Sequence, residues 1–244
     1  MTGFPYEVEA RDGPVMGLIV LRADETIEQD FRRFFAPDQR LHVTRVVSGD
    51  ALTPDSIAMM EQRLPEAAGL LPAGIAFDAV GYACTSGTTL IGADRVAELV
   101  RSSAEARGVT DPLSATIAAA KALGIARMGI VSPYIASVTG PMEAAFAQAG
   151  ITVPRTLSFG EEIEARVARI TPQSIAQAAH TLAGEVAVDG VFLSCTNLRT
   201  LDVIEDLEAT LGLPVLSSNQ ALAWHMARLS GVQVSVPCGR LFAV

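Results

Sequence analysis

Two of this chain's three cysteines stand in matching surroundings, and thiols are its most reactive side chains. Cys84 follows the apolar run 79–83 and opens the string Cys84-Thr85-Ser86-Gly87. Cys195 follows the run 191–193 within Ser194-Cys195-Thr196-Asn197. Asp78-Ala-Val-Gly-Tyr-Ala-Cys84-Thr85 can be laid over Asp189-Gly-Val-Phe-Leu-Ser-Cys195-Thr196 at an offset of 111 residues (84 to 195). Met16-Gly17 lies over Met128-Gly129 at an offset of 112 (16 to 128). Agreement between two separate strings indicates an internal duplication. A lone cysteine after a buried strand is usually a small core residue. Two at equivalent positions of a duplication are a candidate reacting pair. Cys238 lies outside the repeat, behind Pro237, and is expected to be structural.

Paired thiols on one small carboxylate can do two kinds of chemistry. A thiolate can take a proton from one face while a thiol delivers one to the other, which is racemisation. Alternatively a thiolate adds to an activated double bond, the new single bond rotates, and elimination gives the other geometric isomer. Both need donors for the substrate carboxylates, and Thr85, Ser86, Thr196 and Asn197 can supply them. Helix starts after each cysteine should favour the thiolate. Other chemistries lack their spacing. There is no CxxC or HExxH, and His42, His180 and His225 are far apart, so no metal site is expected. Gly87-Thr-Thr-Leu-Ile-Gly92 starts like a phosphate loop, but Ala93-Asp94 stands where Lys-Ser/Thr is needed. No Gly-x-Gly-x-x-Gly follows the first strand, so a dinucleotide is not indicated either.

The elements that must hold these residues alternate along the chain. Continuous apolar runs at 16–21, 79–83, 128–132 and 191–193 read as buried strands, with a further strand at 41–47 and another at 151–157. Between them Ile27, Phe31, Phe34 and Phe35 share one helical face, as do Val138, Met142, Ala145 and Phe146, and Leu201, Ile204, Leu207 and Leu211. Thr53-Pro54 and Thr171-Pro172 are cap-plus-proline helix starts. A helix over 93–106 is expected to close at Gly108. The class is α/β with mainly parallel sheets. Lys plus Arg number 18 against 27 Asp plus Glu, a net charge of −9, which argues against nucleic acid and anionic membranes as partners. No apolar run approaches the roughly 18 residues that span a bilayer, and residues 1–13 show no signal pattern, so a cytoplasmic location is expected. A two-lobed carboxylate-binding protein without catalysis would also place hydroxyls in a cleft, but such binders are usually exported, and paired thiols would serve no purpose there.

Cys84-Thr85-Ser86, Ser194-Cys195-Thr196-Asn197 and Tyr134 between them resemble the aspartate/glutamate racemase superfamily. The branch they resemble most is the maleate cis–trans isomerase and arylmalonate decarboxylase group. The resemblance runs from Met16 to Phe242. It implies two pseudo-symmetric Rossmann-like subdomains, 1–110 with the C-terminal segment 214–244 and 111–213, with the active site in the cleft between them. It also implies no cofactor and assembly as a homo-oligomer. By that resemblance Cys84 is the nucleophile and Cys195 the acid/base cysteine, while Thr85, Ser86 and Tyr134 hold a substrate carboxylate. The decarboxylases keep the second cysteine but carry glycine at the first position, so Cys84 favours maleate-type isomerisation, with an aspartate/glutamate-type racemase as the alternative. Asp24 is a departure, because maleate isomerases tend to have asparagine there. If it faces the cleft it favours an amino-acid-like substrate, and otherwise it caps the helix that follows.

Overall fold

The computed structural model describes residues 3–10, 12–50 and 54–244, and the expected cap Thr53 lies outside them. The first half runs β1 (Val15–Leu21), α1 (Ile27–Phe34), β2 (Arg40–Val46), α2 (Pro54–Gly69), β3 (Phe77–Ala83), α3 (Thr85–Ile91), α4 (Ala93–Arg101) and β4 (Ala106–Thr110). The second runs α5 (Pro112–Ala122), β5 (Met128–Ser132), α6 (Ala136–Gln148), β6 (Thr156–Ser158), α7 (Glu164–Val167), α8 (Pro172–Glu185), β7 (Gly190–Leu193), α9 (Leu201–Leu211), β8 (Val215–Ser217) and α10 (Ser218–Ser230), followed by a 3-10 turn at Arg240–Ala243.

The described strands form two four-stranded sheets, β2-β1-β3-β4 and β6-β5-β7-β8, parallel throughout. The duplication is exact down to register: Met16 pairs with Ala79 as Met128 pairs with Gly190. Asp78 and Asp189 repeat one contact. Asp78 accepts the Val15 amide proton at 2.9 Å and Asp189 that of Arg127 at 2.8 Å, so each tethers the start of the neighbouring strand. Such identical pinning places Cys84 and Cys195 at equivalent carboxyl ends, where open α/β sheets bind ligands.

Burial on both faces explains why the strands are continuously apolar. On β1, Met16, Leu18 and Val20 join a core with α1, α10 and the second half, while Val15, Ile19 and Leu21 join another with α2 and α4. Ile27, Phe31, Phe34 and Phe35 are buried as their periodicity predicts, and so are Val138, Met142 and Phe146. Each such side chain stabilises the fold by about 1.5–3 kcal/mol.

Three elements differ from expectation. The helix expected over 93–106 is α4, which stops at Arg101, and Gly108 lies within β4. β4 is an edge strand whose side chains are mostly outside the core, so it lacks an apolar run. The strand expected over 151–157 contracts to β6, because Pro154 lacks a ladder donor; before it, only an isolated bridge joins Thr152 to Arg127. β8 belongs to the second sheet, and α10, which follows it directly, packs on β3, β4 and β1 of the first sheet. No helix among the described residues is long and apolar enough to cross a membrane.

Candidate active site

Cys84 leaves β3 in extended conformation and caps α3, its Sγ accepting the Gly87 amide proton at 3.1 Å and lying 3.5 Å from the Ser86 hydroxyl. A Cβ on Gly87 would stand 2.9 Å from that sulfur and 2.5 Å from the Tyr82 hydroxyl. Only glycine leaves room for both groups. Cys195 is the counterpart after β7, its Sγ accepting the Asn197 amide proton at 3.4 Å.

The two cysteine loops are bonded to each other. Thr196 donates its hydroxyl proton to the Ala83 carbonyl at 3.4 Å, joining the residue after one cysteine to the residue before the other. Ser218, first residue of α10, accepts the Cys195 amide proton at 3.0 Å and shares a 2.9 Å hydrogen bond with the Thr85 hydroxyl. Tyr134 is buried, and burial, followed by the neighbouring Cys195 and Cys84, pushes its phenol up. Cys84, Cys195, Thr85, Ser86, Thr196 and Tyr134 therefore converge on one closed region, the two thiols being only 2% and 3% exposed. A surface hollow of about 460 Å³ lined by Phe31, Phe35 and Leu41 lies beside β2 and holds none of these groups.

Burial governs the electrostatics. It pushes the Cys84 thiol up to about 11, against the opposing effects of the Ser86 and Gly87 hydrogen bonds. It raises Cys195 well above the ordinary range, helped by the Glu164 carboxylate and opposed by Tyr134. The expected preference for thiolate is thus corrected for the closed site. Donors are present, but desolvation outweighs them and both thiols are neutral at pH 7.

Asp24 unites its two sequence-level roles. Its Oδ1 accepts the amide protons of Thr26 and Ile27, both at 2.8 Å, which caps α1, while its Oδ2 is buried with no hydrogen-bond partner. Its charge reaches Cys195. Asn197, expected to donate to substrate, commits its amide to protein instead. Its Oδ1 accepts the Glu25 amide proton at 2.9 Å, and its Nδ2 donates to Glu164 Oε2 at 2.9 Å and to the Glu164 carbonyl at 3.2 Å. It therefore positions the site by clamping the α1 loop to α7. Cys238 stands apart, 3.7 Å from the Leu201 carbonyl. Among the described residues no three His, Cys, Asp or Glu side chains are grouped to hold a metal ion.

Sequence reasoning missed Glu164, Tyr82 and Ser218. Glu164 is buried, its carboxyl raised to about 7 by burial, and its charge acts on both thiols and on Tyr134. In the sequence it sits in Glu161-Glu162-Ile163-Glu164, where nothing separates it from solvated neighbours. Tyr82 could have been found by asking what fills the strand position two before Cys84. Ser218 had a signal in Ser217-Ser218-Asn219-Gln220, whose ends form a capping box at the start of α10.

Comparison with known proteins gives consistent results. The arylmalonate decarboxylase family matches residues 16–242. Arylmalonate decarboxylase of Bordetella bronchiseptica is 32% identical over 237 residues, 94% of this chain and 96% of that protein. Among solved structures, a glycine-to-cysteine, cysteine-to-serine double variant of arylmalonate decarboxylase in the liganded form superimposes with a TM-score of 0.83 at 27% identity, covering 93% of this chain and 98% of the other. A cysteine-to-serine variant of the Nocardia farcinica maleate cis–trans isomerase, carrying a covalently bound succinylcysteine intermediate, gives 0.79 at 23% identity, covering 94% and 98%.

Proposed function

The chain belongs to the arylmalonate decarboxylase family, and we propose that it is a cofactor-independent isomerase of a small carboxylate in which Cys84 and Cys195 are the reacting groups. The observation that most supports this is the direct bonding of two duplicated cysteine loops, through Thr196 to Ala83 and through Ser218, around one buried tyrosine. A binding protein would have no use for two thiols held in register.

Both thiol chemistries balance without a redox partner. In racemisation, one ionised sulfur takes the proton from carbon, forming S–H as C–H breaks. The other thiol then gives its proton to the opposite face and is left as thiolate. In cis–trans isomerisation, Cys84 first gives its proton to solvent, and the resulting thiolate bonds to an alkene carbon while the π electrons move into the adjacent carboxylate. Rotation about the new single bond follows, the electrons return to re-form the double bond, and the C–S bond breaks to restore the thiolate. The covalent succinylcysteine of the Nocardia isomerase supports the second route by analogy. In either route the Gly87 and Asn197 amide protons stabilise charge on sulfur as its proton leaves. Thr85 is spent on Ser218, which leaves Tyr134 and Ser86 as the hydroxyls for the substrate carboxylate. The same proposal takes the two halves, 1–110 with the C-terminal segment and 111–213, as the jaws of the site, and the working protein as a homo-oligomer. Sedimentation velocity checks the last point, and a monomer at every concentration refutes it.

Identity with the Bordetella enzyme favours decarboxylation as a second reading. Removing the Cys84 thiol separates the two readings. Cys84→Ser and Cys195→Ser should each lower isomerase kcat by about 10²–10⁴-fold with unchanged circular dichroism, because serine is a far weaker acid than cysteine. Arylmalonate turnover that needs Cys195 and survives Cys84→Ser would establish the decarboxylase instead.

A further inference from the structure

Beside the two thiols stand two buried carboxyls that thiol chemistry does not require. Asp24 Oδ2 is buried and unpartnered although Oδ1 is fully engaged. Glu164 is 3% exposed and held by Asn197, and its field reaches both sulfurs, while that of Asp24 reaches Cys195 and Glu164. Every buried charged side chain among the described residues is acidic: Asp24, Asp30, Asp111, Glu164 and Glu208. The Arg45 guanidinium, whose field reaches Asp24, is spent on the carbonyls of Leu21, Arg22 and Asp24 and on Glu28. Arg22 pairs with Asp50 at the surface.

A ligand between the thiols therefore meets two carboxyl groups and no positive side chain. A dianion without nitrogen gains no donor–acceptor pairing with either and is repelled by each in its ionised form. A proton-bearing nitrogen satisfies the orphaned oxygen, and buried polar atoms in folded proteins are seldom left without a partner. We propose that Asp24 and Glu164 are the nitrogen-binding part of this site, so that the substrate carries, beside its reacting carbon, an ammonium or N–H group that donates to Asp24 Oδ2. This rests on the two-thiol function proposed above and narrows its substrate class. It turns the balance from maleate-like dianions toward amino acids or their N-acylated forms. Asp24 and Glu164 thereby become determinants of specificity, while the sulfurs remain the reacting groups.

The test is calorimetric binding to the Cys84→Ser/Cys195→Ser double variant, which cannot turn over by the proposed chemistry. Two matched sets serve as probes: succinate, aspartate and N-acetylaspartate, and glutarate, glutamate and N-acetylglutamate. In at least one set a nitrogen-bearing member should bind about tenfold or more tightly than its nitrogen-free partner, the worth of one hydrogen bond to a charged group. The amino-acid and N-acetyl arms distinguish ammonium from uncharged N–H. Adding Asp24→Asn should cut the preference about tenfold, since asparagine keeps the cap but loses the charge. If that variant fails to fold, Glu164→Gln, which keeps an oxygen for Asn197, carries the same expectation. Nitrogen-free members binding as tightly, no probe binding, or a preference unmoved in the folded variants would each overturn the proposal. Turnover surviving loss of a single thiol, with the nitrogen preference intact, would overturn the two-thiol chemistry and leave the nitrogen site standing.

Discussion

Buried carboxyls around the thiols make folding a proton-uptake process. Glu164 moves from an ordinary 4.5 to about 7 on burial, and Asp30, bonded to Asn219 at 2.7 Å, moves from 3.8 to about 7. For a carboxyl whose folded value is raised, the native state holds the proton longer than the unfolded chain does. Its contribution to stability is therefore fully present below the unfolded value and is lost as pH rises through the folded one. For Glu164 that window is about 4.5 to 7, and the loss is on the order of 3 kcal/mol. Thermal denaturation should show stability falling across this range. Glu164→Gln should flatten the profile and raise the melting temperature by several degrees at pH 8 while changing little at pH 4.5. A variant curve parallel to the wild type would show that Glu164 is not buried in its charged form as described.

Glycines fix how closely the covering helices approach the duplicated strands. A Cβ on Gly129 of β5 would lie 2.1 Å from Leu182 Cδ2, with the same leucine's other branch at 3.2 Å, so α8 sits directly on the strand backbone there. Gly129→Ala should destabilise by about 1–3 kcal/mol through overpacking, seen as a lower urea midpoint at unchanged slope. Unchanged stability would mean that Leu182 can rotate away freely. At this scale much was legible in the sequence. β1, β3, β5 and β7 announce themselves as apolar runs because both faces are buried, and Thr171-Pro172 marks the start of α8, with Thr171 accepting the Ser174 amide proton. β4 did not, being an edge strand with Arg107 turned outward to Asp78. Nor did α7, a single turn too short for periodicity. The thiol pair was legible because duplication wrote it twice. Glu164 was written once, with no counterpart in the first half to expose it, and Asn197 shows its committed amide only when its partners from distant segments are in place.

The halves are held together where the chain crosses back. α10 starts from β8 of the second sheet and packs on β3 of the first, and its first residue, Ser218, holds both cysteine loops. Ser218→Ala would leave the Cys195 amide and the Thr85 hydroxyl buried without that partner, at a cost of about 1–3 kcal/mol. Its larger effect should be on kcat, with KM little changed, because the alignment of the thiols rather than binding depends on it. A variant with reduced stability and full kcat would show Ser218 to be structural only. The halves also meet through the Glu164 amide donating to the Asp50 carbonyl at 3.1 Å and through the Asn197 clamp. These bonds lie on short connections, whereas Ser218 lies at the root of a thirteen-residue helix sunk in the core. Parting the short connections while the root holds would swing the jaws like a calliper with its screw locked. The gap between the measuring points is then a property of the folded chain, set before any ligand arrives, so length is gauged by the hinge and chemical identity by the buried carboxyls.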